Sequence, residues 1–543
     1  MSKKQKSIVK LGIVLSLMTM ASRVMGLVRE MTRAAFLGTS MFADAFTTAF
    51  MIPNLLRRLF AENSISAAFI PTFKDYLQKG DGEENKKSTQ EFLSATFTLL
   101  SFCTALVVII GIIITPLIIP IFCKAPDATA VNYSEAYALY QLKVSEMTYL
   151  TRVMFPYLFV ISIAALFQGI LNGCKIFAPS GFTPVLFNLI VIIATYVLSP
   201  YTQNPARAMA IGVITGGSIQ ALFQWPFIKQ TGWKITFTTL KKTFSNPGTK
   251  RVLALIAPTI VGMAAYQLND IVSTSLANRA GDGIASSLQY SLRLQELVLG
   301  IFAVSIGTVI LPDLSGLAAE KKYKEFNTML LQAIKIMTLI SIPVTFFSLV
   351  NGKELITLIY KSKSFDDSSV QMTLGAFRYH MLGLLFIALN RIIAPAFYAQ
   401  KAPKLPTLAG ILSFIGNILF ALLLVIPMNG NGIALALTIA SFINTVFLFI
   451  FMKKMQCMEI SKLVKGTVLY ALKMTILSLI AICPVYFLRP ILLQTFSSYS
   501  RIISQGVPLV ISFIIFAVMG VAELIITKDK MMIVVLKKLH LKK

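Results

Sequence analysis

Apolar residues dominate this chain in long runs, without the alternation of a strand or the narrow stripe of a surface helix. A helix that crosses a bilayer needs about 20 largely apolar residues. About fourteen such runs can be counted, at 9–37, 41–72, 92–121, 139–172, 180–199, 207–228, 252–278, 284–315, 327–350, 373–399, 405–427, 431–452, 463–488 and 503–527. The pattern predicts an all-α polytopic membrane protein. The first, second, seventh and eighth runs are less purely apolar than the others.

The segments between the runs are short. The longest lie around 351–372 and 229–251, and neither can hold a soluble catalytic domain. Composition agrees. Of 543 residues, 56% are hydrophobic and 13% charged, against roughly 25% charged in a soluble chain. That share cannot cover a water-soluble particle of this size, which excludes soluble-enzyme folds. Lys3, Lys4 and Lys6 ahead of an apolar run resemble a secretory signal. No small-x-small cleavage site follows, and the run continues through Ser22 and Arg23, so a retained first helix is expected.

The formal net charge is +27. On a soluble protein this would suggest nucleic acid; on a polytopic one, lysines and arginines collect on cytoplasmic segments. With the amino terminus inside, the cytoplasmic segments hold Lys3–Lys10, Lys74–Lys87, Lys175, Lys229–Arg251, Lys321–Lys324, Lys401 and Lys404, Lys453–Lys465 and the tail from Lys528. They carry about thirty basic residues against about nine on the other side. Slipping the count by one span scrambles this asymmetry, so an even number of spans with both termini cytoplasmic is expected, and no nucleic acid. Cys103, Cys123, Cys174, Cys457 and Cys483 show no paired spacing, and His380 and His540 are far apart, so neither disulfides nor a zinc site is expected. No GxxxxGK[ST] loop appears, so direct ATP use and a bound cofactor are not expected.

An internal repeat is visible. Gly173-Cys174-Lys175-Ile176-Phe177-Ala178-Pro179, then Pro184 and Asn188, is echoed by Ala399-Gln400-Lys401-Ala402-Pro403-Lys404, then Pro406 and Asn417. Small-residue helices follow each copy, from Ala208 to Lys229 and from Gly432 to Lys453. Earlier, Ile65–Pro71 is echoed by Ile306–Pro312. An even number of spans separates the copies, so they share one orientation: a parallel repeat of two six-helix lobes around a central cavity. This divides the chain into a first lobe (1–235), a second lobe (236–455) preceded by the basic linker, and two carboxy-terminal helices with a basic tail (456–543). Two facing lobes suggest alternating access; a channel or a scaffold is the plainer alternative.

A charge in the bilayer core costs at least about 2.5–3.5 kcal/mol, so those present usually face a cavity. Arg23 stands roughly twelve residues from either end of the first run, or about 18 Å of helix. Arg29 and Glu30 follow. Asp44 opens the second run; Pro53, Arg57, Arg58 and Glu62 come next, and Arg293 and Glu296 lie in the eighth. Snorkelling or structural ion pairing accounts equally well for Arg33 and Arg58. Arg23 and Arg29 are about 240° apart on an ideal helix, and Gly26 between them offers a bend. Arginine rather than lysine fills the deep positions. Its planar fork binds phosphate bidentately, so a pyrophosphate or similar headgroup fits as cargo, with the acids holding the arginines while the cavity is empty.

Ser22-Arg23-Val24-Met25-Gly26-Leu27-Val28-Arg29-Glu30, Ala43-Asp44-Ala45-Phe46 and Pro53-Asn54-Leu55-Leu56-Arg57-Arg58-Leu59-Phe60-Ala61-Glu62 closely resemble the MurJ (MviN) family. These are lipid II flippases of the multidrug/oligosaccharidyl-lipid/polysaccharide exporter superfamily. Leu292–Glu296, Ile310-Leu311-Pro312 and Ala394–Tyr398 resemble it too, and the likeness runs over essentially the whole chain. It implies a bacterial inner-membrane protein that moves lipid II, undecaprenyl-diphosphate bearing a disaccharide-pentapeptide, to the outer leaflet, acting as a monomer. The family's important arginines fall on Arg23, Arg29, Arg57 and Arg293, and its acidic cavity position on Asp44; Glu30, Glu62 and Glu296 match family positions. The last two spans would form a groove for the lipid tail. Some members bind sodium through carboxylates on the seventh and eleventh spans. Asp270 and Asn417 stand nearest to such places, but 405–427 contains no Asp or Glu, so no metal site or coupling ion is assigned.

On this reading the membrane potential drives the diphosphate outward and no covalent chemistry is needed. The rivals are a flippase for another undecaprenyl-diphosphate-linked oligosaccharide, a multidrug exporter, which would want an acidic aromatic cavity, and a membrane glycosyltransferase. The last needs catalytic carboxylates on a sizeable outer loop, whereas Asp127, Glu135, Glu354, Asp366 and Asp367 are few and dispersed.

Overall fold

A computed structural model describes residues 3–59, 65–79, 82–129 and 132–532, with side chains from Leu17 onward except at 66–67, 257–266, 298 and 300–309. Glu62 and His540 lie outside the described residues, as do several side chains of the Ile65–Pro71 and Ile306–Pro312 echo. No β-strand occurs among the described residues.

Each expected run coincides with a helix or a helix pair. The order is α1 (Lys3–Leu37), α2 (Met41–Arg57), α3 (Ile70–Gln78), α4 (Glu83–Ile118), α5 (Tyr133–Met154), α6 (Pro156–Gly173), α7 (Ala178–Leu198), α8 (Pro205–Gln230), α9 (Leu240–Ser245) and α10 (Pro247–Ala280). There follow α11 (Ile284–Ala319), α12 (Tyr323–Tyr360), α13 (Asp367–Leu382), α14 (Leu384–Ala399), α15 (Lys404–Met428), α16 (Gly430–Phe451), α17 (Ile460–Thr495) and α18 (Arg501–Ile526). Among the described residues, 9 helices are long and apolar enough to cross a membrane, or 10 when the bent pair α13–α14 is one span. This is a multi-pass membrane protein. α2 has 17 residues, and α1, α10 and α11 each include residues outside those whose side chains are described; these four helices bear the intramembrane charges.

Two spans are jointed, and the joints have local causes. Pro156 begins α6 directly after Phe155; its ring removes a backbone donor. Between α13 and α14 the chain bends by 44° at Gly383. There the Gly383 amide bonds the His380 carbonyl, one residue short of the helical partner Tyr379. The Thr438 hydroxyl of α16 donates to the freed Tyr379 carbonyl at 2.7 Å, and a Cβ on residue 383 would sit 2.5 Å from that hydroxyl. A polar group inserted into the ladder is a recognised cause of a sharp kink. In the second span the helix turns π-helical at Arg58–Leu59 and again over Ile65–Phe69.

The chain packs as two compact units, Met1–Ser286 and Ser287–Lys543. This division by packing falls inside α11; the division by repeat follows the internal symmetry instead. In the first unit α8 packs on α7 and α6, α1 lies on α7, and α2 lies on α5. Aromatic rings fill notches left by small residues: Gly169 and Gly173 sit against Phe69 and Phe73, and Gly217 against Tyr157, the small-residue packing expected between membrane helices. The basic linker is strapped to the start of α4. Gln90 exchanges bonds with the backbone of Lys234, the Ser94 and Thr236 hydroxyls meet at 3.0 Å, and the Thr238 amide donates to Thr98 Oγ1 at 3.0 Å. Gln90, Ser94 and Thr98 repeat every four residues and so share one helix face.

In the second unit the pairing recurs: α16 packs on α15 and on α13 and α14, as α8 does on α7 and α6. α12 meets α17 and α18. Two ion pairs on buried carboxylates fasten α17: Arg489 to Glu354 of α12 at 2.6 Å, and Lys473 to Asp529 beyond α18 at 2.6 Å.

Candidate functional site

α1 runs unbroken through Gly26. Arg23 is half-buried on it and forms no hydrogen bond or ion pair among the described residues. Beside it, the Asn188 amide of α7 donates to the Ser22 carbonyl at 3.4 Å. About two turns further, Glu30 is held between two arginines. Its Oε1 accepts from Arg29 Nη2 at 2.8 Å and its Oε2 lies 3.2 Å from Arg33 Nη2. Glu30 and Arg33 are 7% and 6% exposed, so Arg33 is paired inside the protein and does not snorkel. The Arg29 guanidinium also stands 5.7 Å from the ring centre of Phe187 on α7, within cation–π range. Two guanidiniums thus share the Glu30 carboxylate.

Arg57 Nε donates to Asn54 Oδ1 at 2.9 Å, a bond across the turn that follows Pro53. Its guanidinium lines a cavity of about 220 Å³ together with Gln168 and Asn172 of α6, Thr183 of α7, and Gln220 and Gln224 of α8. Arg58 leaves this group and pairs with Asp270 of α10 at 3.5 Å, both half-exposed. Asp270, weighed from sequence as an ion ligand, is therefore engaged by a guanidinium. Asn417 is buried at 1% exposure on α15. No cluster of three or more His, Cys, Asp or Glu fit for a metal occurs among the described residues.

In the second unit Arg293 and Glu296 pair across one helical turn at 3.2 Å, with Glu296 exposed. The Arg293 Nε is buried with no hydrogen-bond partner among the described residues.

Asp44 is apart from the arginines. It is fully buried, and it accepts the Gly283 amide on Oδ2 at 2.6 Å and the Ser286 amide on Oδ1 at 2.7 Å. Those amides open α11, where a helix carries its positive dipole end. Around this cap, Lys143 of α5 pairs with Asp282 at 2.6 Å, and the Asn278 amide donates to Thr48 Oγ1 at 2.8 Å. Gly283 has φ +81°, and a Cβ there would sit 2.3 Å from the Thr39 carbonyl oxygen; only glycine fits. Asp44 thus fastens the α10–α11 turn onto the α2 end of the first unit.

Sequence reading missed Lys143, the buried Glu146–Arg207 pair and the carboxamides of the Arg57 cavity. Lys143 and Glu146, three apart at the head of an apolar run, were the available signal. The glutamines gave none, because a pair of uncharged amides one turn apart barely changes an apolar pattern.

The helical pairings and jointed spans define the class, a polytopic all-α membrane protein. A solved multidrug resistance MATE family transporter of the MOP superfamily, inward-facing, shares the fold, with TM-score 0.63 over 83% of this chain and 99% of that one at 16% identity. A solved lipid II flippase MurJ in an inward closed conformation matches with TM-score 0.75 over 95% and 99% of the two chains at 25% identity. The family model for lipid II flippase MurJ matches residues 33–505. The probable lipid II flippase MurJ of Treponema pallidum is 46% identical over 97% of each chain, and that of Vibrio cholerae 32% identical over 82% of each. The chain belongs to the MurJ family of lipid II flippases, which are transporters and not enzymes.

Proposed function

We propose that this protein carries lipid II from the cytoplasmic to the outer leaflet of a bacterial inner membrane by alternating access, as a single copy with both termini cytoplasmic and α1, α2, α10 and α11 among its spans. Arg23, Arg29, Arg57 and Arg293 hold the diphosphate while the polyprenyl tail stays in lipid. The observation that carries this reading is the state of the arginines. Among the described residues Arg23 has no hydrogen-bond or ion-pair partner, Arg293 keeps one buried N–H unmatched, and Arg29 shares the Glu30 carboxylate with Arg33. Cations kept at membrane depth without full neutralisation await an anion, and guanidinium forks suit a diphosphate. Glu30 and Glu296 steady the arginines between cycles. Asp44, seated on the α11 amides, is the fastening that lets go when the outer side opens.

In cells depleted of their own flippase, Arg57→Ala and Arg293→Ala should each abolish rescue of growth and the appearance of lipid II in the outer leaflet, with expression and membrane insertion intact. Normal growth on either variant removes that arginine from the mechanism. Rescue of a different polyprenyl-linked glycan in place of lipid II would reassign the cargo.

A further inference from the structure

We infer that the cavity beside Arg57 is a saccharide subsite, which takes the N-acetylated hexosamine linked directly to the cargo's diphosphate. The inference rests on the proposed transport of a diphosphate-linked lipid and adds where its first sugar goes.

The cavity lies wholly within the first unit, between the π-helical part of the second span, α6, α7 and α8. Its volume of about 220 Å³ is below the 300–1,000 Å³ of sites for drug-sized ligands. It has room for one ring, not for a disaccharide with a peptide.

The chemistry of the wall selects the ring. Gln224 is 1% exposed. Its Nε2 donates to the Ala164 and Gln220 carbonyls, both at 3.1 Å. Both amide hydrogens are consumed by acceptors, which fixes the orientation of the amide and leaves Oε1 as the free end. That oxygen is buried with no partner among the described residues. A buried acceptor without a donor costs about 1–3 kcal/mol, so the site is complete only when something brings an O–H or N–H. Gln220 likewise turns its nitrogen to a backbone carbonyl, that of Thr183, at 2.9 Å. The Asn172 Oδ1 is buried and unmatched as well.

A wall of amide oxygens repels phosphate and welcomes hydroxyl and acetamido donors. Among the described residues no carboxylate lines the cavity. Ile65 and Ile161 supply an apolar side for the C–H face of a pyranose. Arg57 supplies a cation, the one among the described lining residues, and Gln168 is exposed at the rim. Diphosphate on the guanidinium and the attached sugar among the carboxamides is the order in which the cargo's own bonds present them.

The test compares two lipids on the full-length protein in nanodiscs free of glycoside detergent, which would itself compete. One is undecaprenyl diphosphate; the other carries a single N-acetylhexosamine on the diphosphate. The wild type should bind the sugar-bearing lipid about tenfold more tightly. Gln224→Leu should shrink that preference to twofold or less and leave the bare lipid's affinity unchanged, whereas Arg57→Ala should weaken both lipids. No preference in the wild type, or a preference that survives Gln224→Leu, overturns the subsite and leaves a water-filled pocket. If thermal unfolding finds Gln224→Leu misfolded, Gln168→Leu at the exposed rim decides by the same ratio. Loss of the subsite alone leaves Arg57-dependent binding of the bare lipid intact. Absence of Arg57-dependent binding of either lipid sinks the transport reading beneath it.

Discussion

Asp44 is where a single side chain carries a mechanical role. Its two oxygens are the partners of two backbone amides that open α11, and Lys143 stands beside it on Asp282. Alanine at 44 leaves two buried N–H groups without acceptors, each costing about 1–3 kcal/mol, while the Lys143–Asp282 pair and the Asn278–Thr48 hydrogen bond remain to hold the turn. A native reporter lies alongside. Cys123 is 5% exposed, packs its sulfur 3.7 Å from that of Met147, and follows Ile121, whose carbonyl accepts the Ser275 hydroxyl of α10 at 3.2 Å. With Cys103, Cys174, Cys457 and Cys483 replaced by serine, Asp44→Ala should raise the labelling rate of Cys123 by a membrane-impermeant maleimide several-fold. An unchanged rate would mean that Asp44 is not what keeps the α10–α11 turn in place. Its chemistry was legible in the sequence only as an acid at the head of a span; its partners are backbone amides some 240 residues away, which no pattern of side chains announces.

At the scale of elements, hydropathy located the spans because each must bury its own backbone polar groups in lipid, and that demand writes itself into every residue of a run. The joints were not legible. The kink between α13 and α14 depends on a hydroxyl from another helix, Thr438, on a glycine that admits it. Thr438→Val keeps the shape and removes the donor, leaving the Tyr379 carbonyl unmatched. We expect this variant to lower the unfolding temperature of the purified protein, by an amount corresponding to about 1–3 kcal/mol, whereas Thr438→Ser should restore most of the loss. Equal stability of Val and wild type would show that the bend is set elsewhere. The repeat was legible as matching words around Lys175 and Lys401, but its structural reason was not. Both lysines take positive φ, 63° and 57°. After each, an amide reaches back to close the helix end: Ile176 to the Leu171 carbonyl at 2.8 Å and Ala402 to the Phe397 carbonyl at 2.9 Å. Glycine is usual at that position. A lysine there gives up some backbone ease for a cation at the helix's negative end, on the side where the charge bias places the cytoplasm. Lys321 and Lys528 repeat the device at φ 57° and 49°.

For the whole molecule, the charge that composition first reported has two parts with different physics. Most of the +27 lies in short connecting segments and sets orientation, a matter settled at insertion. On the proposed function the few arginines inside spans hold the cargo, and this has a consequence for energetics. A diphosphate loaded onto them brings about two negative charges that must cross from a negative interior to a positive exterior. Each charge moved through 100 mV is worth about 2.3 kcal/mol, so the electrical term on the cargo is about 4–5 kcal/mol in the outward direction. The potential alone supplies a gradient of that size. In cells or proteoliposomes, collapsing the electrical potential with a potassium ionophore at constant pH should slow the appearance of lipid II in the outer leaflet at least tenfold. Collapsing the pH gradient while the potential is kept should leave the rate nearly unchanged. If the two treatments act in the opposite order, protons drive the cycle, and the arginines hold the cargo without coupling it to the field.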